Sequence, residues 1–175
     1  HEAYKTAIRN FLQAEPPDVV NWFSGNRMKF FVVQGLFEDV SDVWNKHDLH
    51  AKLSSARSTV TLDGKQWGVP TTYYQWGFYY RKDIFAKYGL GEPRSMGDLM
   101  HISETLKKNG ITPFTIGTKY LWTAAGWFDF LNLRVNGYDF HMALMDGNIS
   151  YEDKRLDKVV DIWGDLARKG YYIKN

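Results

Sequence analysis

Three stretches of this sequence set aromatic side chains beside glycines, amides and charged groups. They are Trp22-Phe23-Ser24-Gly25-Asn26-Arg27, Tyr73-Tyr74-Gln75-Trp76-Gly77, and Lys119-Tyr120-Leu121-Trp122 running on into Gly126-Trp127-Phe128-Asp129. A flat ring offers an apolar platform, and the polar groups around it can hydrogen-bond the rim of whatever stacks there. A sugar asks for that combination, because its C–H faces are apolar and its edge is a ring of hydroxyls. The candidate contact residues are Trp22, Ser24, Asn26, Arg27, Tyr74, Trp76, Trp122, Trp127 and Asp129. Packing competes for the same side chains. Trp22 suits the closing of a core equally well, and the alternation of Tyr73, Tyr74 and Trp76 must turn some rings inward. Phe128, Phe130 and Leu131 read as interior, as do Trp67 and Trp163.

Enzymatic chemistry finds less support. Glycoside hydrolysis needs paired carboxylates across a cleft, one with a raised pKa. The acidic residues here mostly lie at helix starts, as Asp98 and Asp153 do, or on exposed helix faces. Asp129 stands apart among aromatics and could act as an acid or grip hydroxyls, but no second carboxylate shares its setting. A glycoside hydrolase, whole or in part, is therefore the alternative to a binding protein. His47 and His50 sit three apart without a third metal ligand, and a solvated loop explains them. No nucleophile elbow, phosphate-binding loop or dinucleotide fingerprint occurs, so no catalytic residue, metal or cofactor is assigned. Asn148-Ile149-Ser150 matches a glycosylation sequon, a triplet that arises often by chance.

Charge excludes a further class. The net charge is +2, from 22 basic and 20 acidic residues, and no basic cluster is longer than a pair, such as Lys107-Lys108 at a helix end, where cations suit the helix dipole. No concentrated basic face is present to hold nucleic acid. Cysteine is absent, so neither disulfides nor thiolate sites hold the fold. No apolar run approaches the roughly 20 residues needed to cross a bilayer.

The elements that must position these groups alternate. Residues 2–13 have helical spacing and end at Pro16-Pro17. Residues 18–23 read as a buried strand, 24–26 as a turn, and 27–34 as a helix stopped by Gly35. Asp63-Gly64 between 59–62 and 66–69 signals a hairpin. Residues 76–80 read as a strand, 82–88 as a short helix. Ser95 and Asp98 form a capping box for a helix carrying Met96, Leu99, Ile102 and Leu106. Residues 113–117 read as a strand and 123–135 as a helix. A last helix places Leu156, Val159, Val160, Trp163, Leu166 and Ala167 on one face and stops at Gly170. Such alternation argues for an α/β architecture.

In this order and spacing, several pieces resemble the extracellular solute-binding proteins, family 1, of carbohydrate ABC importers. They are Pro17-Asp18-Val19-Val20 with Trp22, Gly25-Asn26-Arg27, Gln34-Gly35-Leu36, residues 63–70 from Asp63-Gly64 to Val69-Pro70, residues 73–83 from Tyr73-Tyr74 to Lys82-Asp83, and 124–129 from Ala124-Ala125 to Phe128-Asp129. The resemblance runs through nearly the whole chain. It implies a periplasmic-binding-protein-like α/β fold of two lobes joined by a hinge, here incomplete, with 1–75 in the first lobe, 76–175 in the second and the crossing near 73–77. It implies no enzyme, but capture of a sugar in the interlobe cleft and delivery to an ABC transporter membrane permease, in the periplasm or outside the cell, with a lipid anchor on the full-length protein as one option. Seven tryptophans suggest a di- or oligosaccharide. Carried over by position, Trp22 through Arg27 line the first lobe, Tyr74 and Trp76 lie at the crossing, and Trp122, Trp127 and Asp129 line the second lobe. Family members are well over twice as long and begin with a strand before the first helix, so the chain reads as a fragment. A sheet without that strand exposes an unpaired edge, so weak or absent sugar binding by this piece alone and oligomerisation through that edge are expected.

Overall fold

Tyr4, Ile8, Phe11 and Leu12 recur at the helical period, and they wind α1 (Glu2–Gln13) with Ile8 and Leu12 buried. The coordinates are a computed structural model describing residues 2–174. The chain gathers into two compact units, His1–Gln75 and Trp76–Asn175, and each is described by itself.

In the first unit, α2 (Asn26–Val32) carries two apolar faces. Phe31 packs with Ile8 and Leu12 of α1, while Met28 and Val32 join Trp44 and Val60 in a second cluster. Trp44, from the short helix α3 (Ser41–Lys46), is fully buried, and its indole N–H donates to the Gly68 carbonyl at 2.9 Å. Asp39 ties α3 to the segment that follows. Its carboxylate accepts from the hydroxyl of Ser41 at 2.5 Å and from its amide at 3.0 Å, and pairs with Lys65 at 3.2 Å. Those bonds, the hydroxyl's first, hold the Asp39 pKa below its ordinary value. After α4 (Leu49–Lys52) and a 3₁₀ turn at Arg57–Val60 comes the hairpin of β1 (Thr61–Leu62) and β2 (Lys65–Gln66), paired antiparallel. Asp63 and Gly64 both take positive φ, 51° and 76°, as a tight primed turn requires. The hairpin is shorter than the sequence suggests, because 57–60 coil and the chain leaves the ladder at Trp67.

In the second unit, α5 (Lys82–Lys87) precedes α6 (Met96–Lys108). The capping box forms as expected: Asp98 N–H donates to Ser95 Oγ at 3.1 Å, and Asp98 Oδ2 accepts from Ser95 N–H at 2.9 Å. α7 (Trp122–Asn136), α8 (Tyr138–Met145), a 3₁₀ turn at Lys154–Leu156 and α9 (Asp157–Arg168) follow. Leu131 of α7, Phe140 and Leu144 of α8, Leu156 and Val159 make the interior, with Trp127, Phe128 and Trp163 packed against it. On α9, Val160 is exposed rather than inward, since it stands about 100° round the helix from Val159.

Three expected strands do not form as such. Residues 18–23 and 76–80 are irregular, and 113–117 contribute one parallel bridge, Phe114 to Tyr172. A strand exists only where a neighbour takes its hydrogen bonds, and among the described residues no strand lies alongside the first two. α8 follows from no pattern in the sequence: Phe140, Met142, Ala143, Leu144 and Met145 are nearly all apolar, so no helical stripe stands out.

Candidate functional site

The first unit absorbs its candidate tryptophan into packing. The Trp22 ring lies 5.5 Å from Phe31 and 6.3 Å from Tyr4, edge or tilted, against the α1–α2 cluster. Its indole N–H donates to the Arg27 carbonyl at 3.1 Å. The Arg27 guanidinium covers the outer side, 4.8 Å from the Trp22 ring and 4.1 Å from Phe23. Both of the indole's resources, its face and its N–H, are thus engaged inside the unit. Ser24 and Asn26 are exposed, and Gly25 between them takes φ 68° where the chain turns into α2. An open depression of about 470 Å³ in this unit is lined by Tyr4, Phe11, Glu15, Pro17, Val19, Val20 and Asn21, and holds none of the candidate residues.

The second unit keeps two of its three candidate tryptophans outside. Trp76 is 48% exposed and Trp122 50%, with ring centroids 5.8 Å apart and planes tilted by 50°. Trp122 is the first residue of α7, so Gly126 at i+4 and Asp129 at i+7 continue the same stripe. The Trp76 indole lies across that stripe on Gly126. Leu121, just before, holds φ 60° with its side chain 71% exposed, a left-handed conformation that costs a branched residue energy and therefore marks a locally constrained turn. An open depression of about 590 Å³ lined by Ile116, Gly117, Thr118, Lys119, Tyr120, Trp122 and Thr123 adjoins it. Tyr73 and Tyr74, at 98% and 75% exposure, are solvated phenols of the preceding unit. Trp127 belongs to packing instead: its ring is 5.0 Å from Phe78, 5.0 Å from Phe114 and 5.1 Å from Tyr172, and three rings leave no open face of the kind a platform needs.

Asp129 is half-buried and takes no hydrogen bond from the described residues. Burial pushes its pKa up, opposed only by the charge His141 carries when protonated. His141 is fixed from behind. The Arg155 carbonyl can only accept, so the Asn136 amide nitrogen points at it (3.2 Å) and also donates to Asn132 Oδ1 at 2.8 Å. The fully buried Asn132 then presents its nitrogen to His141 Nδ1 at 3.2 Å, making that atom the acceptor and placing the neutral ring's proton on Nε2. The network joins α8 to α7 on the turn that carries Asp129. Sequence reading missed Asn132, Asn136 and His141, because α8 itself was not visible. His47 and His50 fall in different elements: His47 caps the C-terminus of α3, and His50 lies in α4 with its ring 5.3 Å from Trp44. Among the described residues no cluster of acidic, histidine or cysteine side chains could hold a metal.

Trp122, Gly126 and Asp129 thus share one helix stripe, with the half-exposed Trp76 indole laid across it. The chain belongs to the bacterial extracellular solute-binding protein family, whose model matches residues 2–172. A curated relative, an uncharacterized ABC transporter extracellular-binding protein of Pyrococcus horikoshii, is 28% identical over 153 residues, covering 86% of this chain and 35% of its own. Among solved structures, the bacterial solute receptor AcbH, described as having an exclusive substrate preference for β-D-galactopyranose, aligns with 34% identity and a TM-score of 0.78 over 100% of this chain and 44% of its own. A chitin oligosaccharide binding protein aligns with 25% identity and a TM-score of 0.83, covering 95% and 42%. The chain thus spans about a third of its curated relative and under half of these structures. The fold is the α/β fold of periplasmic binding proteins, although the described residues display little of its sheet. Family and structural neighbours are solute-binding proteins, not enzymes, and the family is extracellular. No helix among the described residues is long and apolar enough to cross a membrane.

Proposed function

We propose that this chain captures a sugar for an ABC importer, with the indoles of Trp76 and Trp122 as the stacking surface and Asp129 gripping hydroxyls. The observation that carries this reading is the Trp76–Trp122 pair, half-exposed and 5.8 Å apart, in a chain of the solute-binding family. Two rings offer more apolar face than one hexose covers, which favours a di- or oligosaccharide. Lys119, Thr118 and Thr123 stand beside Trp122 to bond the rim. Tyr73–Gly77, where the chain passes from one compact unit to the next, is the proposed hinge, with Tyr74 beside it. The partner is the membrane permease of the importer, and the location is the periplasm or cell exterior, as the family's description suggests. Ser24, Asn26 and Arg27 are the proposed polar contacts on the first unit, where Trp22 holds Arg27.

Intrinsic tryptophan fluorescence tests the reading, with galactose, maltose, maltotetraose and chitotetraose titrated into the millimolar range. A saturable, sugar-selective change whose midpoint moves about tenfold higher in Trp76→Ala and likewise in Trp122→Ala supports it. No response to any of the four removes it. The hydrolase alternative predicts reducing ends released from maltotetraose or chitotetraose, which a binding protein does not produce.

A further inference from the structure

The geometry points to Gly126 as the residue that positions Trp76 for ligand, an inference that rests on the sugar-binding reading of the same face. Gly126 is buried in the first turns of α7, a place where glycine costs helix stability relative to alanine. Its backbone there is ordinary helix, so no unusual φ requires it. The missing side chain has another use. A Cβ built on Gly126 would stand 3.3 Å from Cη2 of Trp76 and 3.0 Å from Cε2, and closer still to Cζ2 than real Cβ contacts come. The indole therefore rests on bare helix backbone. That contact brings its centroid within 5.8 Å of Trp122, one turn earlier on the same stripe. A methyl group at position 126 lifts Trp76 off the helix. The ring is half-exposed and carried by an irregular segment, so it swings outward before the helix gives way. Gly126 thus sets the spacing and tilt of the platform, and with them the shape of sugar it accepts.

The test substitutes Gly126→Ala and reads ring geometry, stability and binding. Indoles this close couple excitonically, giving a couplet in far-UV circular dichroism that Trp122→Phe should abolish. In Gly126→Ala the couplet collapses while cooperative melting persists. In a Trp76→Ala background the same substitution raises the melting midpoint, because only the gain in helix propensity remains. Otherwise the midpoint stays or falls. Affinity for whichever of galactose, maltose, maltotetraose or chitotetraose the unsubstituted chain binds drops by about tenfold, as expected for losing one stacked ring. An unchanged couplet, with the midpoint rising equally in both backgrounds, overturns the inference. Binding weakened in Trp76→Ala and Trp122→Ala but unchanged in Gly126→Ala also overturns it, and leaves the sugar reading standing. Full binding in the two tryptophan variants removes the sugar reading instead, while the couplet still decides what Gly126 does.

Discussion

Trp22 and Trp76 look alike in the sequence: each follows an amide that ends an apolar or aromatic run, and a glycine comes within three residues of each. The structure uses them in opposite ways. Trp22 has its N–H bonded to a backbone carbonyl, its inner side on Phe31 and its outer side under Arg27. Trp76 rests one side on Gly126 and keeps nearly half its surface in water. What separates a packed indole from an exposed one is not the residue but whether the surrounding unit has already covered its faces. In the first unit the neighbours are large, Phe23, Phe31 and Arg27. In the second the neighbour is a glycine, and the space that it leaves keeps the pair open.

The largest effect that sharpens this contrast is on binding. Replacing Trp76 and Trp122 together by alanine should take sugar affinity below detection, while each alone lowers it by about tenfold at a cost of about 1 kcal/mol of stability, because a half-exposed ring buries only part of its surface. A calorimetric titration beside a denaturant melt measures both. Trp22→Ala should do the reverse, costing about 2 kcal/mol of stability through lost packing and a freed Arg27. If Trp22→Ala abolished binding with stability intact, the two indoles would have the same role and the contrast would be wrong.

Asp129 gives the next effect, and its sign can be worked out. Burial raises its folded pKa above the ordinary aspartate value of 3.8, so the ionised carboxylate is less at ease in the folded than in the unfolded chain. The stability this allows is fully present below the unfolded value and is lost as pH rises through the folded one. Asp129→Asn should therefore flatten the fall in melting midpoint from about pH 3 towards neutrality. At neutral pH it should melt no lower than the unsubstituted chain, yet bind sugar about tenfold more weakly for want of a charged acceptor. A variant that both melts lower and binds normally would make Asp129 structural.

How much of this was legible beforehand depended on range. Signals complete within a few residues were readable: the Asp63-Gly64 turn, the Ser95–Asp98 capping box, the glycine stop after α7, and the family resemblance that the profile match over 2–172 bears out. Signals needing a distant partner were not. Residues 18–23 and 76–80 have strand composition, yet strands are made by neighbours. The exposure of Trp76 depends on Gly126, fifty positions on, and the enclosure of Trp127 on Phe78, Phe114 and Tyr172 from three separate segments. The histidine network behind Asp129 is the extreme case, since its geometry is set by the Arg155 carbonyl, which no side-chain pattern can announce.

The smallest effect concerns Leu121, where the two regions differ again. The turn entering α2 uses Gly25 at φ 68°, for which a positive φ is free, whereas the turn entering α7 uses Leu121 at φ 60°. Leu121→Gly removes about 1 kcal/mol of left-handed strain, but glycine gives the unfolded chain more freedom, which returns most of that gain. The net change in stability should be a stabilisation of about 0.5 kcal/mol or less, near the limit of a careful denaturant melt. The informative readout is therefore binding. Leucine limits the conformations open to the turn that delivers Trp122, and glycine widens them, so sugar should bind with a more unfavourable entropy and an affinity lowered by about threefold. Equal affinity and entropy in Leu121→Gly would show that the helix alone positions Trp122, and that the constrained turn serves the fold rather than the site.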